Sequence, residues 1–558
     1  MSDSARPWVE FYPEGVPADV EIPSVTLPQL LDQAVEEFGR RTALHFYGRD
    51  VSYAEIGEHA NRFANGLIGL GVAKGDRVAL HLLNSPQFII AYFGVLKAGA
   101  TVTPVSPLYT APELRHQLQD SGAQYIICQD MLHDKVARAD VQLKATVVTA
   151  PADYLPLGAR LLGKGKTKLP KGGPDLHRFA ELVKSSPAKP PDVEIDPAND
   201  LAVLPYTGGT TAQPKGVMLT HRNMVACLTQ FLAFATYWER GKEVVVAHLP
   251  FYHIYGQVVL MLGGLTTGAK MVLFSTPDVE QILFAAERHG ATVFFGVPTL
   301  YELLRQHPKT SLVGWKKMKV LTSGADTLHE TTAREWEERT GRGITEGYGM
   351  TETSGVSHVN PLQRAKRGSF GVPIPNVLAA VAEPGAHDFV SPGDVGELLV
   401  SGPNIMRGYW HNEDETRRTL VEIEGKTWLR TGDLVRMDEE GYFFYYDRAK
   451  DLIKYKGYSV FAREIEEVLC GHPSVKTAGV VAVPEPTVGH YPRAYVVLQS
   501  EARGRVSEAE LLDYLRERLA PYKVPRELEF RGELPKTDVG KVSRRELREE
   551  AEHFTKNQ

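Results

Sequence analysis

The segment from Arg77 to Val105 reads RVALHLLNSPQFIIAYFGVLKAGATVTPV and decides the fold class. Its two ends, Arg77–Leu83 and Thr101–Val105, are apolar runs of strand length. Between them, Ser85–Ala98 begins with a serine N-cap followed by a proline, which predicts a helix. A strand, a helix and a second strand in direct succession are typical of a parallel sheet covered by helices.

The alternation continues along the chain. Thr110-Ala111-Pro112-Glu113 has the pattern of a capping box at the start of another helix. Further strands are predicted at Gln124–Gln129, Val244–Leu249, Met271–Phe274, Thr292–Phe295 and Val320–Ser323. We therefore expect an α/β fold in which a large N-terminal domain contains two α/β sheet subdomains.

The pattern changes after about Pro373. Short strands and Gly-rich turns, as in Gly396–Gly402 and Gly441–Tyr446, predict a β-barrel-like subdomain. The block that follows alternates again, and it predicts a small, mobile α+β domain. Its expected elements are two helices, Ala462–Leu469 and Glu508–Leu519, and two strands, Val480–Val483 and Ala494–Leu498. The predicted domains are residues 1–447 and 448–558.

Composition excludes several classes of protein. The 558 residues carry a net charge of −6, which argues against general binding of nucleic acid. Cys128, Cys227 and Cys470 are far apart, which excludes a disulfide scaffold and a zinc ribbon and fits a reducing compartment. We see neither a secretory signal nor an apolar run of about 18 residues, so we expect a cytoplasmic protein without a spanning helix.

One segment, residues 154–171, is basic and has an apolar start. It contains Arg160, Lys164, Lys166, Lys168 and Lys171, and it begins Tyr154-Leu155-Pro156-Leu157. A solvated loop is one interpretation. The other is a peripheral contact with an acidic substrate or with anionic lipid, for instance at the inner membrane.

The strongest local pattern is YTGGTTAQPKG, from Tyr206 to Gly216, which follows the short apolar strand Leu201–Pro205. Glycines and threonines let backbone N–H groups and hydroxyls surround phosphate oxygens, and Lys215 adds a positive charge. The string lacks the Gly-Lys-Ser/Thr ending of a Walker A loop.

This string resembles the phosphate loop of the adenylate-forming superfamily, which includes acyl-CoA synthetases, firefly-type luciferases and peptide-synthetase adenylation domains. Five further strings follow in the order of that family. They are LPFYHIYG at Leu249–Gly256, EGYGMTE at Glu346–Glu352, WLRTGD at Trp428–Asp433, DRAKD at Asp447–Asp451 and LPKTDVGK at Leu534–Lys541. The resemblance runs from about Thr26 to Leu547, which is almost the whole chain.

The resemblance implies an ATP site and a magnesium ion. The residues matching the nucleotide motifs are Thr207, Gly208, Gly209, Thr210, Thr211, Lys215, Gly324, Ala325, Glu346, Gly347, Tyr348, Gly349, Met350, Thr351, Asp433 and Arg448. Tyr348 is suited to stacking on adenine, or it is core filler. Asp433 offers two oxygens to ribose hydroxyls, or it belongs to a turn. Glu352, with Thr207, is a hard oxygen ligand for Mg²⁺, or it is an acid at a helix N-terminus.

Catalysis is implied for Lys541, His253 and Glu352. Lys541 matches the family's lysine that lies between the carboxylate of the acid and the α-phosphate, where a cation relieves the repulsion of two anions. His253 matches the residue beside the acyl carboxylate, although a core histidine is the alternative. Small side chains are expected around an acyl pocket formed by His253, Gly256, Val297, Gly324 and Gly349.

The resemblance also implies a rotation of the small domain about a hinge at Lys450. Lys454, Lys456, Gly457 and Tyr458 follow the hinge and match the side that binds coenzyme A. A plain strand with solvated lysines is the alternative interpretation.

Two segments are similar to bacterial long-chain fatty-acid–CoA ligases, Trp8–Pro17 and the region 130–188. Glu346, which replaces the glutamine common in the family, mildly supports a fatty substrate. The implied reaction joins a medium- to long-chain fatty acid to coenzyme A through an acyl-adenylate, with release of AMP and pyrophosphate. An aryl or coumarate-type acid and a stand-alone adenylating enzyme remain as alternatives, and a homodimer is left open.

Overall fold

The computed structural model describes residues 6–156, 158, 175–207, 214–276, 278–456, 458–485, 487–536 and 542–556. Several predicted site residues lie outside these ranges. They are Gly208, Gly209, Thr210, Thr211, Gly457 and Lys541, together with most of the basic segment 154–171.

The strand–helix–strand unit predicted from Arg77–Val105 is present. Its strands are Arg77–His81 and Thr101–Pro104, paired in parallel, and its helix is Pro86–Lys97. The Ser85 Oγ accepts a hydrogen bond from the N–H of Phe88 at 3.2 Å, as expected of an N-cap. Every residue of this helix is buried, because it lies between sheet and neighbouring helices.

This unit belongs to a nine-stranded sheet with a parallel centre. In spatial order its strands are Gly408–Tyr409, Lys215–Thr220, Leu201–Val203, Thr101–Pro104, Arg77–His81, Tyr125–Gln129, Ala145–Thr149 and Leu176–Arg178, and Tyr206–Thr207 pairs with Lys215–Thr220 on the side.

A second nine-stranded sheet also has a parallel centre with antiparallel edges. Its strands, in spatial order, are Val372–Pro373, His358–Val359, Thr345–Tyr348, Val320–Ser323, Val293–Gly296, Val244–Ala247, Lys270–Leu273, Thr42–Phe46 and Arg49–Ser52. The prediction of two α/β sheet subdomains is therefore confirmed.

The α-helices of the described chain are Leu27–Phe38, Tyr53–Gly69, Pro86–Lys97, Ala111–Ser121, His133–Ala139, Phe179–Ser185, His221–Phe234, Gly263–Thr266, Val279–Arg288, Pro298–Gln306, Glu330–Thr340, Glu413–Thr419, Ala462–Cys470, Glu508–Arg516 and Arg544–Lys556. A π-helical segment spans Gly256–Leu262. Short 3₁₀ turns include Thr351–Thr353 and Ala449–Asp451. At the start of Ala111–Ser121, the Thr110 N–H donates to Glu113 Oε2 at 2.7 Å, so the capping box is confirmed.

The β-rich unit is a five-stranded antiparallel sheet that carries two of the predicted nucleotide residues. Its strands are Leu378–Ala382, Val395–Ser401, Leu420–Ile423, Lys426–Met437 and Phe443–Arg448. Asp433 and Arg448 face each other on its last two strands.

The C-terminal block has a five-stranded sheet of its own, made of Ile453–Tyr455, Tyr458–Val460, Val475–Glu485, Gly489–Leu498 and Glu527–Phe530. Its buried apolar residues, such as Ile465, Val480 and Leu511, form a core of their own. The first residue of that core is Ile453. A separate core is what an independently folding domain needs. The boundary between residues 447 and 448 stays a prediction.

None of the helices in the described part of the chain combines the length and the hydropathy that a bilayer crossing requires.

Candidate active site

Three of the predicted site residues follow the carboxyl ends of three neighbouring parallel strands. Val293–Gly296, Val320–Ser323 and Thr345–Tyr348 lie side by side in one sheet. Val297, Gly324 and Gly349 follow directly after these strands. Ligands of open parallel sheets bind in the crevice at such carboxyl ends.

Ala325 has a left-handed backbone. Its φ is +69°, which is costly for a residue with a Cβ. Residues in such conformations cluster at ligand sites, where the surrounding structure holds them in place. The sequence prediction placed Ala325 in the nucleotide motif, and the strain at this position is compatible with that role.

Tyr348 makes contacts through its hydroxyl and through its ring. Its hydroxyl donates to Asp433 Oδ2 at 2.6 Å. Its ring lies against Phe370, with centroids 4.7 Å apart and planes tilted by 32°. The hydroxyl therefore ties the end of the parallel sheet to the β-rich unit, and the role of the ring in stacking on adenine stays a prediction.

Asp433 and Arg448 form an ion pair across two strands of the β-rich sheet. Nε of Arg448 lies 2.8 Å from Asp433 Oδ1, although the approach is outside hydrogen-bonding geometry. The Asp433 side chain is 2% exposed. A buried carboxylate needs such a partner, because an unpaired buried charge is costly.

Glu346 is a buried carboxyl at the end of the strand Thr345–Tyr348. Its Oε2 accepts a hydrogen bond from the N–H of Leu328 at 3.0 Å. Burial raises the pKa of Glu346 to about 7 despite that hydrogen bond. The group therefore changes its protonation near neutral pH.

Glu352 is buried beside the same sheet edge. Its Oε1 accepts a hydrogen bond from the hydroxyl of Tyr409 at 2.8 Å. Burial raises the pKa of Glu352, while the Tyr409 hydrogen bond and the Arg448 charge oppose that rise. The sequence reasoning missed Tyr409, which lies on the short strand Gly408–Tyr409 and belongs to none of the quoted motifs.

Thr207 and Lys215 flank the segment predicted to be the phosphate loop. They face each other as partners in an antiparallel pair, so the intervening loop begins and ends at one place. Lys215 Nζ is paired with the carboxylate of Glu415 and lies 5.3 Å from the centre of the Tyr409 ring. Tyr409 thus contacts both Lys215 and Glu352.

The segment Leu249–Gly256 is held by Asn84, which lies in the loop after the strand Arg77–His81 of the other large sheet. Asn84 Nδ2 donates to the carbonyl of Leu249 at 2.7 Å, and Asn84 Oδ1 accepts from the N–H of Phe251 at 2.7 Å. Both ends of one amide therefore position the chain that leads to His253. The Nδ1 of His253 accepts from the N–H of Tyr255 at 3.3 Å, which fixes the tautomer needed for that contact.

Close backbone contacts leave no space for a side chain at Gly256 and Gly349. A Cβ at Gly256 would lie 2.1 Å from the carbonyl oxygen of Pro250. One at Gly349 would lie 2.0 Å from the carbonyl oxygen of Gly355. At Gly324, by contrast, it would meet the Tyr255 ring at 3.1 Å. Backbone approach therefore accounts for two of these glycines without an acyl pocket, and the pocket stays a prediction.

The predicted hinge residue Lys450 lies in the turn Ala449–Asp451, directly after the strand that ends at Arg448. Of the predicted coenzyme A residues, Lys454 and Tyr458 lie on two paired strands beyond it, and Lys456 lies in the turn after the first of them. Lys456 has φ +48° at the turn, and its N–H donates to the carbonyl of Val488 at 2.7 Å. Tyr458 is 57% exposed and stacks on Tyr522. The described contacts of Lys456 and Tyr458 are thus to the C-terminal domain.

The structure therefore brings Tyr348, Asp433 and Arg448 into direct contact, and it joins Lys215 to Glu352 through Tyr409. In the described part of the chain, no group of three or more His, Cys, Asp or Glu side chains is placed to hold a metal ion. A magnesium site here would depend on few protein oxygens and on the phosphates of a nucleotide, as Mg²⁺ sites with nucleotides commonly do.

Two family models match the chain. The one described as AMP-binding enzyme matches residues 31–410, and the one described as AMP-binding enzyme C-terminal domain matches residues 464–541. Together they include most of the motifs quoted above.

Named relatives align over most of the chain. The chain is 38% identical to the long-chain-fatty-acid–CoA ligase of Bacillus subtilis (strain 168) over 556 residues, which cover 98% of each protein. It is 34% identical to a feruloyl-CoA synthase of Amycolatopsis sp, over 91% of this chain and 95% of that protein.

A solved structure has the same fold. It is ATP-bound MatB from Rhodopseudomonas palustris, which is 28% identical, with a TM-score of 0.82 over 95% of this chain and 100% of that one. The matches and the site agree: the chain belongs to the AMP-binding enzyme family, and it is an adenylate-forming acid–thiol ligase.

Proposed function

We propose that the enzyme converts a medium- to long-chain fatty acid, ATP and coenzyme A into the acyl-CoA thioester, AMP and pyrophosphate. The observation that supports this most is the cluster of Tyr348, Asp433 and Arg448 beside the buried carboxyl of Glu352. It brings together an aromatic ring, a carboxylate and a guanidinium where the end of the parallel sheet meets the β-rich sheet, and these groups suit a base, a ribose and a phosphate, respectively.

In the first half-reaction, a carboxylate oxygen of the acid attacks the α-phosphorus of ATP. The bond to the β-phosphate oxygen breaks, and pyrophosphate leaves with the electron pair. Two anions have to approach each other, so a cation between them lowers the barrier. We assign that cation to Lys541, which lies outside the described residues. Arg448, a member of the cluster with Tyr348 and Asp433, also stays positively charged at any relevant pH.

The residues present fit a magnesium ion. Glu352 is a buried carboxyl in which Oε1 is held by Tyr409, and carboxylate and hydroxyl oxygens are the ligands that Mg²⁺ prefers. We propose that Glu352, with the hydroxyl of Thr207, holds it. When bound with ATP, Mg²⁺ neutralises phosphate charge and stabilises the departing pyrophosphate.

In the second half-reaction, the thiolate of coenzyme A attacks the acyl carbon. The mixed-anhydride bond breaks and AMP leaves. We propose that the small domain rotates about Lys450 between the two steps and presents Lys454, Lys456, Gly457 and Tyr458 to the cofactor. Exposed lysines such as Lys454 and Lys456 are suited to an anionic cofactor.

The named relatives suggest two classes of acid substrate. The Bacillus subtilis relative supports a fatty acid, and the Amycolatopsis relative supports an aromatic acid as the second candidate. An apolar pocket discriminates between acids that differ by one methylene by only about 1–3 kcal/mol. The preferred chain length therefore has to be measured.

The test is ATP–pyrophosphate exchange across saturated fatty acids of increasing length and across benzoate, coumarate and ferulate, followed by thioester detection with coenzyme A. We expect exchange and thioester with medium- and long-chain acids. Preference for the aromatic acids would replace the fatty-acid assignment. Exchange without any thioester would leave a stand-alone adenylating enzyme.

We further propose a cytoplasmic location with peripheral contact at the inner membrane. Tyr154 is buried, and its hydroxyl lies 2.7 Å from His59 Nδ1, so it is unavailable to lipid. The contact would then depend on the basic residues from Arg160 to Lys171. Vesicle flotation with anionic and neutral lipid tests this contact, and light scattering tests the homodimer.

A further inference from the structure

Tyr409 contacts two of the residues predicted to bind ATP and its magnesium ion, Glu352 and Lys215. Its hydroxyl donates to Glu352 Oε1 at 2.8 Å, and its ring centre lies 5.3 Å from Lys215 Nζ. We propose that Tyr409 is a positioning residue that orients the Glu352 carboxylate for the metal–nucleotide complex and confines the Lys215 ammonium. This inference rests on the proposed function.

The position of Tyr409 is fixed by its neighbours. The strand Gly408–Tyr409 pairs with Lys215–Thr220, and Tyr409 is opposite Val217. Its N–H donates to Thr416 Oγ1 at 2.9 Å, and the residue is buried. A side chain held on a strand and packed in this way can impose an orientation on what it contacts.

The backbone of Glu352 is tied to the same segment that holds its carboxylate. The residue lies in the short turn Thr351–Thr353, and its carbonyl accepts a hydrogen bond from the N–H of Met406 at 2.9 Å. Both its backbone and its side chain are therefore tied to the segment 406–409. Because Tyr409 occupies Oε1, Oε2 is the oxygen that can turn to a cation. Groups that hold a metal ligand in this way change metal affinity about 10- to 100-fold when removed.

Lys215 is the second contact. In this structure its ammonium is paired with Glu415, a carboxylate on the helix Glu413–Thr419. A triphosphate would compete with that carboxylate for the same cation. The ring of Tyr409 offers a cation–π contact that persists whichever anion is bound, so it keeps the ammonium near Thr207.

Two substitutions separate the two contacts. Tyr409→Phe removes the hydroxyl and keeps the ring, whereas Tyr409→Leu removes both. Tyr442→Phe is a matched control, because Tyr442 has the same pair of interactions elsewhere. Its hydroxyl donates to the carbonyl of Arg364 at 2.7 Å, and Lys366 Nζ lies 4.4 Å from its ring centre.

The experiment measures binding in the absence of acid substrate. Mn²⁺ binding to the enzyme with ATP is followed by electron paramagnetic resonance, and metal-free ATP binding is followed by calorimetry in EDTA. We expect Tyr409→Phe to raise the Kd for Mn²⁺ about 10-fold or more while the Kd for metal-free ATP changes less than about twofold. Tyr409→Leu should weaken metal-free ATP as well, and Tyr442→Phe should change neither.

Unchanged Mn²⁺ affinity in Tyr409→Phe, with a melting temperature equal to that of the wild type, would overturn the inference. If Tyr409→Phe and Tyr409→Leu weaken metal-free ATP equally, the ring contact with Lys215 has no role and that part is wrong. Failure of the wild-type enzyme to bind Mn²⁺ with ATP would instead overturn the proposed function, so the two failures can be told apart.

Discussion

Asp447 Oδ1 lies 2.6 Å from Nη1 of Arg544, although 97 residues separate them in the sequence. Asp447 is the last residue of the predicted N-terminal domain, and its side chain is completely buried. Its carboxylate also accepts hydrogen bonds from the N–H groups of Arg448 and Arg463. All these donors follow the predicted boundary, so a rotation about Lys450 would have to break the contacts with Arg463 and Arg544.

We therefore expect Asp447→Asn to change the balance between the two half-reactions. A charged hydrogen bond contributes about 1.5–3 kcal/mol, so the ratio of the adenylation and thioester rates should change about 10-fold or more, up to about 150-fold. The measurement compares pyrophosphate exchange with single-turnover thioester formation from supplied acyl-adenylate. Glu466→Gln is the control, because Glu466 pairs with Arg544 inside the C-terminal domain and that pair does not cross the boundary. Equal effects of both substitutions on the ratio would contradict this prediction.

Lys450→Pro should spare adenylation and block thioester formation. Proline fixes φ near −65°, and it prevents the torsion change that a hinge needs. Both rates are measured as above, with Lys450→Ala as the control that removes the side chain and keeps the backbone free. If the proline variant retains both steps, the hinge lies elsewhere.

Lys541→Ala should nearly abolish adenylate formation, because the cation between two anions is lost. Thioester formation from supplied acyl-adenylate should persist, since that step places no second anion at this position. Lys536→Ala, in the same sequence motif, serves as a comparison. A loss of both half-reactions to the same extent would remove Lys541 from the adenylation step.

Glu346→Gln should change the dependence of stability on pH. The folded protein holds the Glu346 proton up to about pH 7, whereas the unfolded chain releases it near pH 4.5. The free energy of unfolding of the wild type therefore falls between these values, and the loss is complete above pH 7. Glutamine removes that loss, which is on the order of 1–3 kcal/mol.

The difference in melting temperature between Glu346→Gln and the wild type should thus be small at pH 5 and largest at pH 8. Glu337→Gln, on the surface, is the control. A difference that is constant from pH 5 to pH 8 would show that Glu346 is ionised throughout this range.

Gly256→Ala should destabilise the fold by about 2 kcal/mol or more, because its Cβ would collide with the carbonyl of Pro250. Gly69→Ala is the control, since nothing lies within 4 Å of a Cβ there. Thermal unfolding measures both. If Gly256→Ala keeps the wild-type stability and shortens the preferred acyl chain, Gly256 lines an open tunnel as the sequence predicted.

Local features of the fold were predictable wherever a short-range pattern decided them. The N-cap at Ser85 and the capping box at Thr110 depend on residues three positions away, and both are present. The strand Val320–Ser323 has the predicted bounds. The π-helical segment that begins at Gly256 was not predicted, because a single π-helical turn has no hydrophobic periodicity that distinguishes it from an α-helix.

Membership of the site stays a prediction, and the contacts among its residues could be anticipated only in part. The motifs identified Tyr348, Asp433 and Arg448, and these do meet. Tyr409 and Arg544 could not be found, because what gives each a role is a partner far away in the sequence. The raised pKa of Glu346 likewise results from burial, which cannot be read from the amino-acid sequence.

The two bonds from the Asn84 side chain to Leu249 and Phe251 have a consequence for building hybrid enzymes. Asn84 follows a strand of one large sheet, and the segment it holds leads out of the other. A recombinant that takes its first two hundred residues from one parent and the remainder from another would inherit the amide and its carbonyl partner from different ancestors. We expect such crossovers to be tolerated only when both parents supply this asparagine and a loop of the same shape.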